Sequence, residues 1–257
     1  MLAWLRLFSQ TAWREVLPTA GLGTATALAW WALHRQQAER STLPMEGMWM
    51  PPTGTWRWTF TDFGLTWSMW LIMMLAMMLP VVTPMIVLIQ RIGRARRKGE
   101  RISLPAFLSG YLLLWTGFSF FMTLLQWQFH GLSWLTPMMD ARSTAVSGTI
   151  LILSGAYQFT PWKTACLSHC RSPLGFLLTQ RRRAGWRLGL RHGLYCVGCC
   201  WAEMLVMFAV GVMNLLWMGW ITLAIVAERY VPGAEGSVRR LVGIALVTWG
   251  CTQWVSE

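Results

Sequence analysis

The chain has 257 residues, 55% of them hydrophobic and 12% charged, against about 25% charged in soluble domains. With a mean hydropathy of +0.43, this composition excludes an ordinary soluble domain. A net charge of +12 would suggest nucleic acid in a soluble protein. Here the basic residues gather in short segments between apolar runs, as the positive-inside rule expects, and no nucleic-acid motif accompanies them.

Apolar runs exceed the ~18 residues that mark a membrane span. They predict an all-α, polytopic transmembrane bundle of about six helices forming a single domain. The N-terminus does not read as a signal peptide: Arg14 and Glu15 interrupt it, and no small-residue cleavage site follows cleanly. The first run, over 16–33, is therefore expected as a retained span, followed by an outer loop over 34–62. The second span is expected over 63–89, with Pro80 and Pro84 in its last part. The third is expected over 104–129, the fourth over 144–162, the fifth over 193–226 and the sixth over 238–255. The fifth is longer than a bilayer requires and should tilt or project.

Orientation follows from Lys and Arg. Fifteen of the twenty-two basic residues fall in the N-terminus and in the second-to-third and fourth-to-fifth connections. The other seven, Arg229 among them, fall on the opposite side of this six-span count. The richer side should be cytoplasmic. That embeds the chain in a lipid bilayer with both termini cytoplasmic.

Five of the six cysteines lie within thirty-five residues, in two bursts. The first is Cys166-Leu167-Ser168-His169-Cys170. The second runs from His192 through Cys196, Cys199 and Cys200 toward Glu203 and Met207. On a helix, residues three or four apart share a face, so the second burst forms one stripe. The expected site is at the inner edge of the fourth and fifth spans, where thiols stay reduced and Arg171, Arg187 and Arg191 would favour thiolate. Thiolates and imidazoles suit Cu(I) first and Zn(II) second. The candidate ligands are Cys166, Cys170, Cys196, Cys199 and Cys200, with His169 and His192 as supplements and no more than three or four on one ion. Glu203, an ionisable group inside the bilayer edge, calls for a partner, a proton or a cation. Cys251 reads as a small packing residue; His34 and His130 read as interfacial.

Methionines form a second pattern. There are seventeen, and interfacial belts, which account for many of the nineteen tryptophans, do not explain them. Met69, Met73 and Met77 make one helical stripe, while Met45, Met48 and Met50 surround Trp49 in the outer loop. Thioethers are soft ligands and also flexible core fillers. Met73, Met77, Met207, Met45, Met48 and Met50 are thus accessory candidates for a soft-ion path from outside to the inner thiols.

Trp70 to Pro84, the run Tyr157-Gln158-Phe159-Thr160-Pro161-Trp162-Lys163 leading to Cys166, Cys170-Arg171-Ser172-Pro173, and Gly193 to Trp201 followed by Gly211-Val212-Met213-Asn214 carry a resemblance. Over roughly residues 65–230 the chain resembles a bacterial family of predicted metal-binding integral membrane proteins, a domain of unknown function. The resemblance implies a polytopic membrane protein with a metal site, and brings no settled reaction. Lys163 and Arg171 fall on its pattern; family members often carry an apolar residue where Glu203 stands.

The function expected first is soft-metal binding for transport or delivery, copper before zinc, with a metallochaperone or metal-accepting membrane protein as partner. The sequence lacks a nucleotide-binding motif, a pump phosphorylation motif, a serine elbow and a His-Glu-x-x-His motif. Catalysis is therefore not the leading expectation. A membrane thiol–disulfide oxidoreductase using Cys196 and Cys199, and a structural subunit of a membrane complex, are the alternatives.

Overall fold

The computed structural model describes residues 20–38, 51–52, 54–95, 103–136, 139–179, 185–231 and 235–255. Those residues form an all-α structure without strands; a lone bridge joins Leu135 and Ala141. In chain order the helices are α1 (20–38), α2 (Phe60–Ala95), α3 (Leu104–Gly131), α4 (Thr144–Tyr157), α5 (Pro161–Arg171), α6 (Pro173–Thr179), α7 (Gly185–Val210), α8 (Leu215–Tyr230) and α9 (Glu235–Val255). A single 3-10 turn, Thr55–Arg57, precedes α2. Three helices, α2, α3 and α7, are long and apolar enough to cross a membrane, and α4 is a shorter apolar helix.

Local chemistry sets the breaks. Ser143 caps α4 by accepting from Val146 N, and Thr160 caps α5 by accepting from Lys163 N, with Pro161 at the first helical position, where a missing N–H costs nothing. The expected fourth span therefore divides at the turn Gln158–Thr160, and Cys166 and Cys170 sit on a separate helix. The expected fifth span also divides. Gly211 takes a φ of +94°, a region open to glycine at little cost. Asn214 then caps α8 by accepting from Leu216 N and Trp217 N, as short polar side chains do at helix starts. α7 in turn begins at Gly185, eight residues before the expected 193.

α2 stays helical through Pro80 and Pro84. Pro80 has no N–H to offer the Ala76 carbonyl, and the Trp30 indole of α1 donates to that carbonyl at 3.0 Å. The Tyr111 hydroxyl of α3 donates to Met78 O at 3.3 Å, and the Tyr230 hydroxyl of α8 donates to Val81 O. Three helices thus satisfy carbonyls around the proline region, which in a membrane protein must be done by neighbours.

α3 and α7 run in the same direction in close contact, both starting at the end where α2 finishes. A Cβ at Gly110 would lie 1.9 Å from Trp186 O, and one at Gly189 would lie 1.9 Å from Phe107 O. Small residues spaced by four allow such backbone approach in membrane bundles, and Gly185, Gly189 and Gly193 supply that spacing on α7. α4 returns antiparallel to α7, with Ser154 donating to Ala202 O at 2.8 Å and Tyr157 donating to Gly198 O. α8 then brings Arg229 back to the level of Cys196.

α9 begins near the C-terminal end of α4, where Arg239 donates to Gln158 O at 2.9 Å, and ends with Trp254 against Gly148 near the start of α4. Residue 255 therefore lies at the end of the bundle opposite the start of α3 and α7. The six-span count puts it at the same end; the turn at Gly211 adds a pass and reverses it.

Gly189→Ala should push α3 from α7, because the new methyl meets backbone that cannot rotate away. Its melting temperature in detergent should drop clearly, whereas Gly117→Ala, with nothing within 4 Å of a new Cβ, should melt like the parent.

Candidate metal centre

Cys196, Cys199 and Cys200 face the interior from α7, each no more than 1% exposed. Cys196 is eleven residues into the 26-residue helix, which puts it about 16 Å from the first turn. The thiols thus lie near the middle of α7 rather than at its start, as a consequence of the early beginning at Gly185. Cys199 and Cys200 donate back to Cys196 O at 3.1 and 2.9 Å. From α5, Cys170 is buried and hydrogen-bonds Cys199. All six cysteines are free thiols.

The cation at this cluster is Arg229 of α8. Its guanidinium donates to Cys196 Sγ through two nitrogens, each at 3.3 Å, and to Cys199 Sγ at 2.8 Å. It also reaches Cys196 O at 3.4 Å. The Tyr111 hydroxyl stands 3.5 Å from Cys196 Sγ. The positive charge beside the thiols does not come from the arginines the sequence pointed to. Arg171 donates to Val231 O, Arg187 lies over the Trp186 ring, and Arg191 donates to the Tyr195 hydroxyl.

A second polar cluster lies beside the first. Lys163 of α5 is fully buried and bonds Glu203 Oε1 of α7 at 2.6 Å and Glu228 Oε2 of α8 at 2.8 Å. Gln158 accepts from Lys163 and donates to Glu203 Oε1 at 2.8 Å. Burial alone would lower the Lys163 ammonium, but Glu203 and then Glu228 raise it above its ordinary value. Glu203, expected to need a partner, has two. Its Oε2 and Glu228 Oε1 are buried without a hydrogen-bond partner.

The remaining candidates stand apart. Cys166 is half-buried with its sulfur against Gly198, where a Cβ would come within 2.8 Å of it; burial, then Cys199, pushes its thiol up. His169 points outward, stacked on Tyr195 at 4.1 Å with Nδ1 on Ala165 O. His192 is buried among Phe107, Tyr111 and Phe176, and its Nδ1 has no partner. Met73, Met77 and Met207 are fully buried core side chains. Met73 also lines a small apolar cavity with Leu33, Met213 and Met218. Met45, Met48 and Met50 lie outside the described residues.

The donor set fits a soft ion: four buried sulfurs from two helices, with no carboxylate or imidazole hydrogen-bonded to them. Among the described residues, no group of three or more His, Cys, Asp or Glu side chains is arranged to hold a metal ion.

The helices and the thiol cluster define an α-helical protein with three described helices long and apolar enough to span a membrane and a buried cluster of thiols. The model of the PpoB2 family, described as a copper chaperone, matches residues 67–253, and the chain belongs to that family. No curated protein and no solved structure matches it.

Sequence reasoning missed Glu228 and Arg229. A signal was present: two adjacent ionisable residues end an otherwise apolar run, and such residues in a membrane helix normally face the bundle interior. Lys163 was counted as a loop charge, although it follows Thr160-Pro161, a helix start.

Lys163→Met should leave Glu203 and Glu228 buried without their cation, a loss of about 3–5 kcal/mol when one partner of a buried pair is removed. Chemical unfolding in detergent should read this directly. Glu228→Gln, which keeps Lys163 paired to Glu203, should lose less.

Proposed function

We propose that the chain is a copper carrier of a bacterial inner membrane that holds Cu(I) on Cys196 and Cys199 and delivers it to another copper-handling protein. Cys170 and Cys200 are the neighbouring thiols to which the ion can pass. The observation that carries this reading is the set of buried free thiols on α5 and α7, with Cys170 beside Cys199 and with Cys199 and Cys200 both turned to Cys196 O. Membership of a copper chaperone family supports copper as the cargo. The supplementary histidines take no part: one is stacked on a tyrosine at the surface, the other is enclosed by aromatic rings.

Thiolates attract Cu(I) strongly, and a buried site keeps water and oxygen from it. Release then proceeds by sulfur-for-sulfur exchange, a partner's thiol replacing one of the chain's own before the second lets go. In this reading the bundle crosses the membrane with the starts of α3 and α7 at the cytoplasmic face, the side on which most of the basic residues fall. Three long spans, the shorter α4, and α1, α8 and α9 make up the embedded body.

Purified protein loaded with Cu(I) should retain about one ion per chain by elemental analysis. The combined variant Cys196→Ser/Cys199→Ser/Cys200→Ser should retain none. Equal copper in both would refute the ligand assignment.

A further inference from the structure

The buried guanidinium raises a question that copper binding alone does not answer. Arg229 is 3% exposed. It contacts two sulfurs and a carbonyl of α7, with Nε left without a partner. The neighbouring Glu228 turns its carboxylate to Lys163 instead. An arginine is charged at any pH a protein meets, and a buried charge is costly unless opposite charge lies beside it. The groups in contact with Arg229 that can supply that charge are Cys196 and Cys199, the same thiols assigned to the ion. Tyr111, on the other side of Cys196, contributes a hydroxyl.

We infer that Arg229 sets the charge the thiol site accepts, making it selective for a monovalent soft ion over a divalent one. The inference rests on the proposed function, since it takes Cys196 and Cys199 as the ligands. Each thiol that becomes a ligand gives its proton to water, and a sulfur lone pair forms the metal–sulfur bond. Nothing is oxidised or reduced, because the ion arrives as Cu(I). Two thiolates carry −2, the guanidinium +1 and a monovalent ion +1, so the loaded site is neutral. A divalent ion on the same two thiolates adds one positive charge to these groups, and the nearest carboxylates, Glu203 and Glu228, are already held by Lys163. A third thiolate from Cys170 or Cys200 would remove it only by giving up another buried proton. The guanidinium need not leave, because it meets each sulfur through N–H donors and the sulfurs retain other lone pairs.

This makes Arg229 a specificity-determining residue that touches the ligands and not the cargo. The test compares thiophilic ions of different charge on the full chain in detergent. Cu(I) and Ag(I) are the monovalent probes; Zn(II) and Cd(II) are the divalent ones, each titrated against a chelator of known affinity. Wild type should take Cu(I) and Ag(I) well ahead of Zn(II) and Cd(II). Arg229→Met should cut the Ag(I)-to-Cd(II) affinity ratio by roughly 1,000-fold, the order expected from removing one unit charge about 4 Å away at an effective dielectric of about 20. Arg229→Lys, which keeps the charge and loses the fork, should recover most of that ratio. A purely structural role would lower all four affinities together and leave the ratio unchanged, and that result would overturn the inference. If Arg229→Met does not fold, wild type decides: Cd(II) bound as well as Ag(I) refutes monovalent selectivity. Wild type binding none of the four ions would instead defeat the proposed function itself.

Discussion

Lys163 is the point on which the architecture turns. One ammonium, without solvent exposure, holds a carboxylate from α7 and another from α8. Neither helix carries an obvious reason to meet α5: α5 is short and poorly hydrophobic, and lipid gives apolar helices no incentive to associate. Burial of three ionisable groups in apolar surroundings is tolerated only when they satisfy one another. Their mutual need fixes the depth and rotation of three helices at once. The same rotation turns Cys170 toward Cys199 and delivers Arg229, the next residue after Glu228, to the sulfurs. The thiol centre is in this sense a by-product of where the charges must go.

The two clusters divide the labour of holding and binding. The lysine cluster is rigid, saturated on one side by Gln158 and closed by two carboxylates. The sulfur cluster is soft, with thiols that bond weakly to a backbone carbonyl and to each other. The proposed carrier role needs both properties. Rigid surroundings keep ligands close enough to capture an ion, and weak internal bonds among those ligands leave them free to rearrange around it. The aromatic lining from Tyr111 and the rings about His192 keeps the neighbourhood dry, which strengthens each electrostatic contact inside it.

Much of the candidate site was legible because cysteine spacing survives translation from sequence to structure. Cys196, Cys199 and Cys200 share a face by helical period alone, and the structure has them so. The second burst's depth was not legible. Arg187 and Arg191 looked like a loop, but each rests on an aromatic ring or hydroxyl of its own helix, as long basic side chains do when their stems lie along apolar surface. The helix therefore starts earlier than its charges suggest. The division of the fifth span had a readable cause, a glycine three residues before an asparagine cap, hidden within an unbroken apolar run. Missing it reversed the last helix and set Arg229 on the wrong side of the count. Charge rules place loops well and buried charges badly, since they assume that an arginine marks water.

Pro80 deserves a different description from the one prolines usually receive. By withholding an N–H it leaves the Ala76 carbonyl for Trp30, and so supplies the acceptor that fastens α1 to α2. The residue that weakens its own helix serves as an adhesive between helices. The two residues form one unit spread over 50 positions of chain. An alanine in place of Pro80 would bring a ladder N–H to the Ala76 carbonyl and make the Trp30 indole share it, so improving α2 in isolation would weaken its hold on α1. Within a bilayer, where no water waits to take the vacated bond, an interruption of secondary structure is a means of joining helices.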